Sequence, residues 1–302
     1  MSLIVINPAT GKRIAVYREH TRAAVERALA QAEIAQCAWR QLSLSHRAKP
    51  LRALARLLRA KRDALAALAT DEMGKPVTQA RGEADKSALL CEYYARHAAT
   101  LLGPDVPVAA PPNTRVVHEP LGTVLAIMPW NFPIWQVVRA AIPALIAGNA
   151  MLLKPAPTVP GSALALEKLF RQAGFPRGLF QVLLIGTDPI AGLIADRRVH
   201  AVTLTGSTAA GKAVATQAGA AMKPAVFELG GSDAAIVLAD ADLAAAAETC
   251  ALSRLLNSGQ SCVCAKRFIV VRSVLREFET LFTARMAARQ VGDPTDPATD
   301  VG

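Results

Sequence analysis

Cysteine is scarce in this chain and follows no pattern that would give it a structural role. The sequence contains Cys37, Cys91, Cys250, Cys262 and Cys264. An odd number without regular spacing indicates neither a disulfide framework nor a metal site. We therefore expect free thiols, no bound metal and a reducing, cytoplasmic compartment.

Long hydrophobic runs are also missing. The most apolar stretch, AAIPALIAGNAMLLK, is interrupted by Pro143, Gly148 and Asn149 before it reaches the roughly 20 residues that a membrane helix needs. The first residues, MSLIVINPATGK, contain no basic segment followed by an apolar stretch and a small-residue cleavage site, so no export signal is expected. The sequence predicts a protein without a membrane span.

Acidic residues are fewer than basic ones, and the formal net charge is +10. The densest basic group comprises Arg47, Lys49, Arg52, Arg56, Arg59, Lys61 and Arg62. Leu51, Leu54 and Leu58 recur at helical spacing in the same segment, which predicts that these charges form the outer face of an amphipathic helix. No aromatic stacking motif or helix-turn-helix pattern accompanies them, which argues against nucleic-acid binding. A basic surface favours anionic substrates or cofactors instead.

Length and composition allow about two domains, because 302 residues of which 52% are hydrophobic can bury more than one core. Residues 21–101 repeat apolar side chains at three- and four-residue intervals, which predicts several helices interrupted at Gly74-Lys75-Pro76. The segment LGPDVPVAAPPN then concentrates proline and glycine, and residues 115–118 are predicted to be extended. A crossing or a domain boundary is expected there.

Beyond this segment, short apolar runs alternate with helical patterns. The runs are GTVLAIM, AMLLK, FQVLLIG and AVTLTG. One helix is predicted after each run: the first ends at residue 147, the second covers residues 162–173, the third ends at residue 195 and the fourth begins at residue 209. Because parallel strands need crossover connections, this alternation predicts a doubly wound parallel α/β sheet. Such a sheet binds ligands at its carboxyl edge. A strand (AAIVL), a helix (DADLAAAAETCALSRLL), a strand (KRFIVV) and a final helix are predicted to follow.

Two residues are candidates for catalysis by residue type and setting. Cys262 ends the polar loop NSGQSC, and Glu228 ends an apolar segment before a glycine pair in FELGG. A nucleophilic cysteine reacts as the thiolate. A partly buried glutamate has a raised pKa, as a general base requires. The alternatives are a small buried cysteine and a glutamate that pairs within a turn.

Two turns carry candidate binding groups. Asn131 lies in PWNFP, where prolines and aromatic residues hold a neutral amide that can stabilise an oxyanion. Gly206 and Ser207 lie in LTGSTAAG, a strand-to-helix turn whose free backbone N–H groups could receive a phosphate. This turn differs from the common GxGxxG dinucleotide pattern, so alone it indicates a nucleotide only weakly.

The motifs PWNFP, LLKPA, LTGSTAAG, FELGGSD and NSGQSC, in this order along one chain, resemble the aldehyde dehydrogenase superfamily. Within it, LKPAP, ELGGSD and AKRFI are most similar to the bacterial NAD(P)-dependent succinate-semialdehyde dehydrogenases. The resemblance implies Cys262 as nucleophile, Glu228 as general base and Asn131 as oxyanion donor. The implied reaction oxidises an aldehyde through a cysteine thioester, and Glu228 favours its hydrolysis over transfer to coenzyme A.

The resemblance also implies binding residues. They are Lys154, Gly206, Ser207, Trp130 and Pro129 for the cofactor, and Arg139 and Trp135 for the substrate. Arg139 matches an arginine that holds the substrate carboxylate. A second arginine of some relatives is replaced here by Leu256, with Arg254 two residues earlier. Succinate semialdehyde is the expected substrate, with glutarate semialdehyde or an uncharged aldehyde as alternatives.

Cofactor preference and redox behaviour stay open. Pro157 stands where NAD-preferring relatives often carry glutamate, so both NAD and NADP are expected to be possible cofactors. Cys262 and Cys264 resemble cysteine pairs that form a regulatory disulfide under oxidation in some relatives.

The implied fold has an NAD(P)-binding domain, an oligomerisation element and a catalytic domain. The NAD(P)-binding domain is expected at residues 1–101 and 120–230, the oligomerisation element at 102–119 and the catalytic domain at 231–302. Family members continue well beyond the last residue of this chain, so we expect a truncated chain with an incomplete α/β catalytic domain, and a homo-oligomer for the full-length protein. A non-catalytic dinucleotide-binding remnant is the alternative function.

Overall fold

Helices cover most of residues 22–101 in the computed structural model, which describes residues 2–105, 111 and 113–302. Their bounds are α1 Arg22–Trp39, α2 Leu44–Ala60, α3 Arg62–Met73 and α4 Val77–Leu101. Thr21 and Ser43 cap α1 and α2, because each side-chain oxygen accepts a first-turn N–H. Gly74 ends α3 with φ of 75°, a conformation that glycine adopts without a Cβ clash. The predicted helices and their interruption are confirmed.

An antiparallel hairpin, which the sequence pattern did not predict, precedes these helices. It consists of β1 Ser2–Ile6 and β2 Arg13–Arg18. Val5 is its buried side chain, whereas Ile4, Ile6, Ile14 and Val16 are exposed. Because its apolar residues do not share one buried face, the hairpin lacks the alternation that identifies a strand.

The central sheet is parallel, with its strands in the order β5-β4-β3-β6-β7. The strands are β3 Thr123–Ile127, β4 Ala150–Lys154, β5 Phe180–Val182, β6 Val199–Thr205 and β7 Ala225–Glu228. The predicted parallel α/β fold is therefore confirmed. β5 is shorter than the apolar run that predicted it.

Helices connect these strands: α5 Trp135–Ile146, α6 Pro160–Gln172, α7 Ile190–Ala195 and α8 Thr208–Ala220. From β3 the chain moves through β4 to β5, whereas from β6 it moves the opposite way to β7. Because such crossovers are right-handed, α5 and α6 lie on one face and α7 and α8 on the other. The reversal between β3 and β6 creates a crevice at their carboxyl ends.

A smaller unit follows the central sheet. Strands β8 Asp233–Val237 and β9 Ala265–Val270 form a parallel pair, with α9 Leu243–Leu255 between them and α10 Leu275–Ala287 after a 3-10 turn at Arg272–Val274. Asp242 caps α9 by accepting the Ala245 N–H at 3.0 Å. Val237, Ala247, Cys250 and Phe278 form a hydrophobic cluster separate from the main core.

The amphipathic face of α2 is confirmed, with one correction. Leu51, Leu54 and Leu58 are fully buried in the main core. Arg47, expected on the outer face, is also buried and packs against Gly148. Positions 47, 51, 54 and 58 share one side of a helix, which explains why Arg47 points inward. Its burial lowers the pKa of Arg47.

The segment 102–119 is described only in part. Asp105 and Val116 form an isolated antiparallel bridge, while residues 106–110 and 112 lie outside the described residues. Within the described part of the chain, no helix combines the length and hydrophobicity needed to cross a bilayer.

Candidate active site

A cavity of about 370 Å³ opens at the carboxyl edge of the central sheet, beside the reversal between β3 and β6. Seven of the ten predicted site residues line it: Pro129, Trp130, Asn131, Gly206, Ser207, Glu228 and Cys262. They come from the ends of β3, β6 and β7 and from the loop after α9. The fold thus brings residues from four separate motifs to one place, which is where a doubly wound sheet binds its ligand.

The loop that carries Cys262 begins with a left-handed turn. Asn257, Ser258 and Gly259 have φ angles of 56°, 54° and 76°, a conformation that costs energy for residues other than glycine. Asn257 is buried, and its N–H donates to Oε1 of Gln79 on α4 at 2.7 Å. Surrounding contacts therefore hold a strained turn, after which Cys262 is half-buried.

Two reciprocal hydrogen bonds join this loop to the Asn131 loop. Nδ2 of Asn257 donates to the Asn131 carbonyl at 2.7 Å, and Nδ2 of Asn131 donates to the Gln260 carbonyl at 2.7 Å. A primary amide has two N–H groups, so one remains on Asn131 after this bond. These two loops, which both line the cavity, are therefore held at a fixed separation.

Lys266, on β9, links two other parts of the site. Its ammonium group donates to the Gly231 carbonyl at 2.7 Å and to the Cys262 carbonyl at 3.0 Å. This cation thus fixes the glycine pair after β7 against the cysteine loop.

Glu228 does not have the partly buried environment expected from its sequence. Its side chain is 51% exposed, and its Oε1 lies 3.5 Å from Nη1 of Arg139. The reason is that β7 is the edge strand of the sheet, so one side of Glu228 faces open space. The expected burial is wrong for this chain.

The turn after β6 is shaped as the start of a helix. Ser207 caps α8, since its Oγ accepts the Ala210 N–H at 3.2 Å. The Gly206 N–H donates to the Glu228 carbonyl at 3.0 Å, so this N–H is not among the free groups that could receive a phosphate. Other first-turn N–H groups of α8 lack acceptors within the helix, as at any helix start, and favour an anion.

Three predicted residues lie apart from the described lining of the cavity. Lys154 ends β4 and is buried, which lowers the pKa of its ammonium group. Trp135 begins α5, and Nζ of Lys86 lies 4.1 Å from the centre of its ring. Arg139, one turn further, lines a neighbouring cavity of about 330 Å³ that shares Thr205 and Glu228 with the first.

Cys262 and Cys264 are both free thiols. Cys264 is fully buried, and its Sγ donates to the Leu256 carbonyl at 3.5 Å. Among the described residues, no group of three or more His, Cys, Asp or Glu side chains could hold a metal ion.

Several residues that organise the site were not identified from the sequence. Gln79, Asn257, Gln260 and Lys266 make the contacts described above. The bond between Gln79 and Asn257 joins positions 178 residues apart, so no local pattern could have indicated it.

Comparison with known proteins identifies the family. The family model described as "Aldehyde dehydrogenase family" matches residues 1–302. The succinate semialdehyde dehydrogenase [NAD(P)+] Sad of Escherichia coli K12 is 44% identical over 99% of this chain and 65% of its own length. Succinate-semialdehyde dehydrogenase [NADP(+)] 1 of Mycobacterium tuberculosis H37Rv is 47% identical over 100% of this chain and 67% of its own length.

A solved structure agrees with these relatives. The succinic semialdehyde dehydrogenase from Streptococcus pyogenes, in complex with NADP+, matches with a TM-score of 0.95 and 36% identity over 99% of this chain and 66% of that one. The chain therefore spans about two thirds of the length of the relatives it matches. With its whole length matched by the family model and its site motifs gathered at one sheet edge, the chain belongs to the aldehyde dehydrogenase family.

Proposed function

We propose that this chain oxidises succinate semialdehyde to succinate with NAD(P)+, through a thioester on Cys262. The observation that carries the proposal is that Cys262, Asn131 and Glu228 line one cavity at the carboxyl edge of the sheet. Nucleophile, oxyanion donor and base are the three groups that aldehyde oxidation through a thioester requires. The activities for which these relatives are named support the same reaction.

The residues present fit a dinucleotide. Gly206 and Ser207 lie at the start of α8, where a pyrophosphate is stabilised by first-turn N–H groups, and Pro129 and Trp130 line the same cavity. Lys154 provides a cation at the end of β4, the strand beside β3. The nicotinamide, when bound, accepts the hydride that leaves the aldehyde carbon.

The chain's own residues would act in a defined order. The Cys262 thiolate adds to the aldehyde carbon, the carbonyl π electrons move to oxygen, and the free N–H of Asn131 donates to that oxyanion. Loss of hydride from the same carbon leaves a thioester. Glu228 then takes a proton from water, hydroxide adds to the thioester carbon, and Cys262 leaves as thiolate while the carboxylic acid forms.

Arg139 supports a substrate that carries a carboxylate. It is 34% exposed and lies in a largely apolar cavity lined also by Val124, Pro143 and Met151. A short aliphatic chain ending in a carboxylate suits that combination. Leu256 is exposed, and Arg254 packs beside Gly259 of the cysteine loop. Arg254 is therefore the second candidate for the carboxylate.

The domain bounds given above are proposed for this chain as well: 1–101 with 120–230 for the dinucleotide, 102–119 for oligomerisation and 231–302 for the start of the catalytic domain. The division of the buried residues into two clusters, one around the central sheet and one around β8, β9, α9 and α10, supports the first and third of these bounds. The bounds 102–119 rest on the family resemblance alone.

The test is the formation of reduced nicotinamide with succinate semialdehyde, glutarate semialdehyde and butanal, each with NAD+ and NADP+. Cys262→Ala removes the proposed nucleophile, and Cys264→Ala is the matched control at a buried cysteine. We expect turnover with succinate semialdehyde that Cys262→Ala abolishes and Cys264→Ala retains. Nucleotide binding without turnover would contradict the proposal and favour a non-catalytic dinucleotide-binding protein.

A further inference from the structure

The first two turns of α4 contact both loops of the candidate active site. Gln79 and Glu83 are four residues apart and so lie on one face of the helix. Gln79 accepts an N–H from the cysteine loop, and Glu83 accepts N–H groups at the end of the Asn131 loop. Neither residue lines the cavity in the described chain, so their contact with the site is through backbone.

Gln79 holds the strained turn. The Asn257 N–H donates to its Oε1 at 2.7 Å, and its own Nε2 donates to the Asp300 carbonyl at 3.2 Å. Asn257 is the first of three residues with positive φ, and such a conformation persists only where neighbouring groups hold it. The side chain of the same Asn257 bonds the Asn131 carbonyl. Gln79 is therefore connected through Asn257 both to the loop that carries Cys262 and to Asn131.

Glu83 holds the other loop. Its Oε1 accepts the N–H groups of Ile134 and Trp135, each at 2.7 Å. These are among the N–H groups that lack acceptors at the start of α5, and a carboxylate there also opposes the positive end of the helix. Lys75 completes the arrangement, since its ammonium group is bonded to Oε2 of Glu83 and lies 3.8 Å from the centre of the Phe132 ring. Lys75 and Glu83 are both buried.

We propose that Gln79 and Glu83 are positioning residues for aldehyde oxidation: from one face of α4 they set the distance between the Cys262 loop and Asn131. This inference rests on the proposed function. Misplacing a reacting group by about 1 Å costs ~100-fold in rate, so a contact that never touches substrate can control turnover.

The test uses two variants of Gln79 in the full chain. Gln79→Met keeps the length of the side chain but removes both hydrogen bonds, whereas Gln79→Glu keeps the oxygen that accepts the Asn257 N–H. Gln172→Met is the matched control, because it makes the same change at an exposed position on α6. Three quantities are measured: kcat, the nucleotide Kd, and the rate at which iodoacetamide alkylates Cys262 relative to the exposed Cys37.

For Gln79→Met we expect kcat to fall about tenfold or more, since the reacting groups are no longer aligned, while the nucleotide Kd changes less than about twofold. Alkylation of Cys262 should become about threefold faster relative to Cys37, because the released turn samples more open conformations. Gln79→Glu should recover most of both effects. A purely structural defect would not raise thiol reactivity at Cys262 alone while lowering turnover.

The inference is overturned if Gln79→Met matches Gln172→Met in both kcat and the alkylation ratio, or if Gln79→Glu is as impaired as Gln79→Met. If the wild-type chain gives no turnover, the proposed function fails for this chain. The alkylation ratios then decide the inference: faster reaction in Gln79→Met, restored by Gln79→Glu, supports it, and unchanged ratios overturn it.

Discussion

Arg139 and Glu228 form an ion pair at the carboxyl edge of the sheet, with 3.5 Å between Nη1 and Oε1. The two residues are proposed to do different work, one binding a carboxylate and the other activating water. Both side chains are partly exposed, and such pairs contribute only about 0–1 kcal/mol. A substrate carboxylate can therefore take the place of Glu228 beside Arg139 at little cost in free energy.

This relationship predicts the effect of Arg139→Met on substrate choice. We expect kcat/KM for succinate semialdehyde to fall about 10- to 100-fold, because a hydrogen bond to a charged group contributes ~1.5–3 kcal/mol. For butanal, which has no carboxylate, the change should be less than about threefold. The measurement is initial rate against substrate concentration for both aldehydes.

Arg254→Met is the matched control for this prediction. It should leave the ratio of the two kcat/KM values unchanged if Arg139 alone binds the carboxylate. An equal loss for both aldehydes in Arg139→Met, or a selective loss in Arg254→Met, would contradict the assignment.

The buried ion pair of Lys75 and Glu83 predicts a large stability effect. Removing one partner of a buried pair costs ~3–5 kcal/mol, whereas replacing both is far less costly. We expect Lys75→Met to lower the free energy of unfolding by about that amount, and Lys75→Met/Glu83→Gln to recover part of it. Urea unfolding measures both.

The exposed pair of Arg59 and Glu92 provides the control. Arg59→Met should cost at most ~1 kcal/mol, as for other surface pairs. The proposed role of the Lys75–Glu83 pair is contradicted if Lys75→Met is no more destabilising than Arg59→Met, or if Lys75→Met/Glu83→Gln is at least as destabilised as Lys75→Met.

Glu72 predicts how stability changes with pH. It is buried on α3, and its carboxylate oxygens accept N–H groups of Gly161 and Ser162 at the start of α6. Burial raises its pKa above the usual 4.5, although the bonds from Ser162 and Gly161 oppose this shift. The folded chain therefore holds this proton more tightly than the unfolded chain. The stability that the protonated Glu72 contributes to the folded state is therefore fully present below pH 4.5. It is lost as pH rises through the folded-state pKa of Glu72.

Glu72→Gln cannot ionise, so it separates this contribution from all others. The free energy of unfolding of the wild type minus that of Glu72→Gln should fall as pH rises above 4.5 and through the folded-state pKa. Urea unfolding at several pH values tests this. A difference that is constant or rises with pH would show that burial does not dominate the pKa of Glu72.

The sequence predicts the central fold well because its strands are nearly continuous apolar runs. Thr123–Ile127 and Ala150–Lys154 are almost completely buried, as strands of a parallel sheet covered on both faces are. The N-terminal hairpin could not be predicted, since only Val5 distinguishes a buried face. Arg47 is buried despite its charge because it lies on the leucine side of α2, and residue type alone predicts the opposite.

For the candidate site, local motifs predict which residues face the cavity but not how they are held. Asn131 and Cys262 are identified by their own short segments. The bonds from Gln79 to Asn257 and from Asn257 to Asn131 depend on the packing of α4 against distant loops. The exposure of Glu228 likewise follows from its place on an edge strand, which the order of strands determines.

The most direct test of the account is to trap the thioester on Cys262. Glu228→Gln, which lacks the proposed base, is mixed with succinate semialdehyde, with and without NADP+, and the acid-quenched peptides are analysed by mass spectrometry. We expect the peptide containing Cys262 to gain a succinyl group only when the nucleotide is present, because only oxidation makes the adduct stable to quenching. An unmodified Cys262 under both conditions, or the same modification without nucleotide, would contradict the proposed reaction.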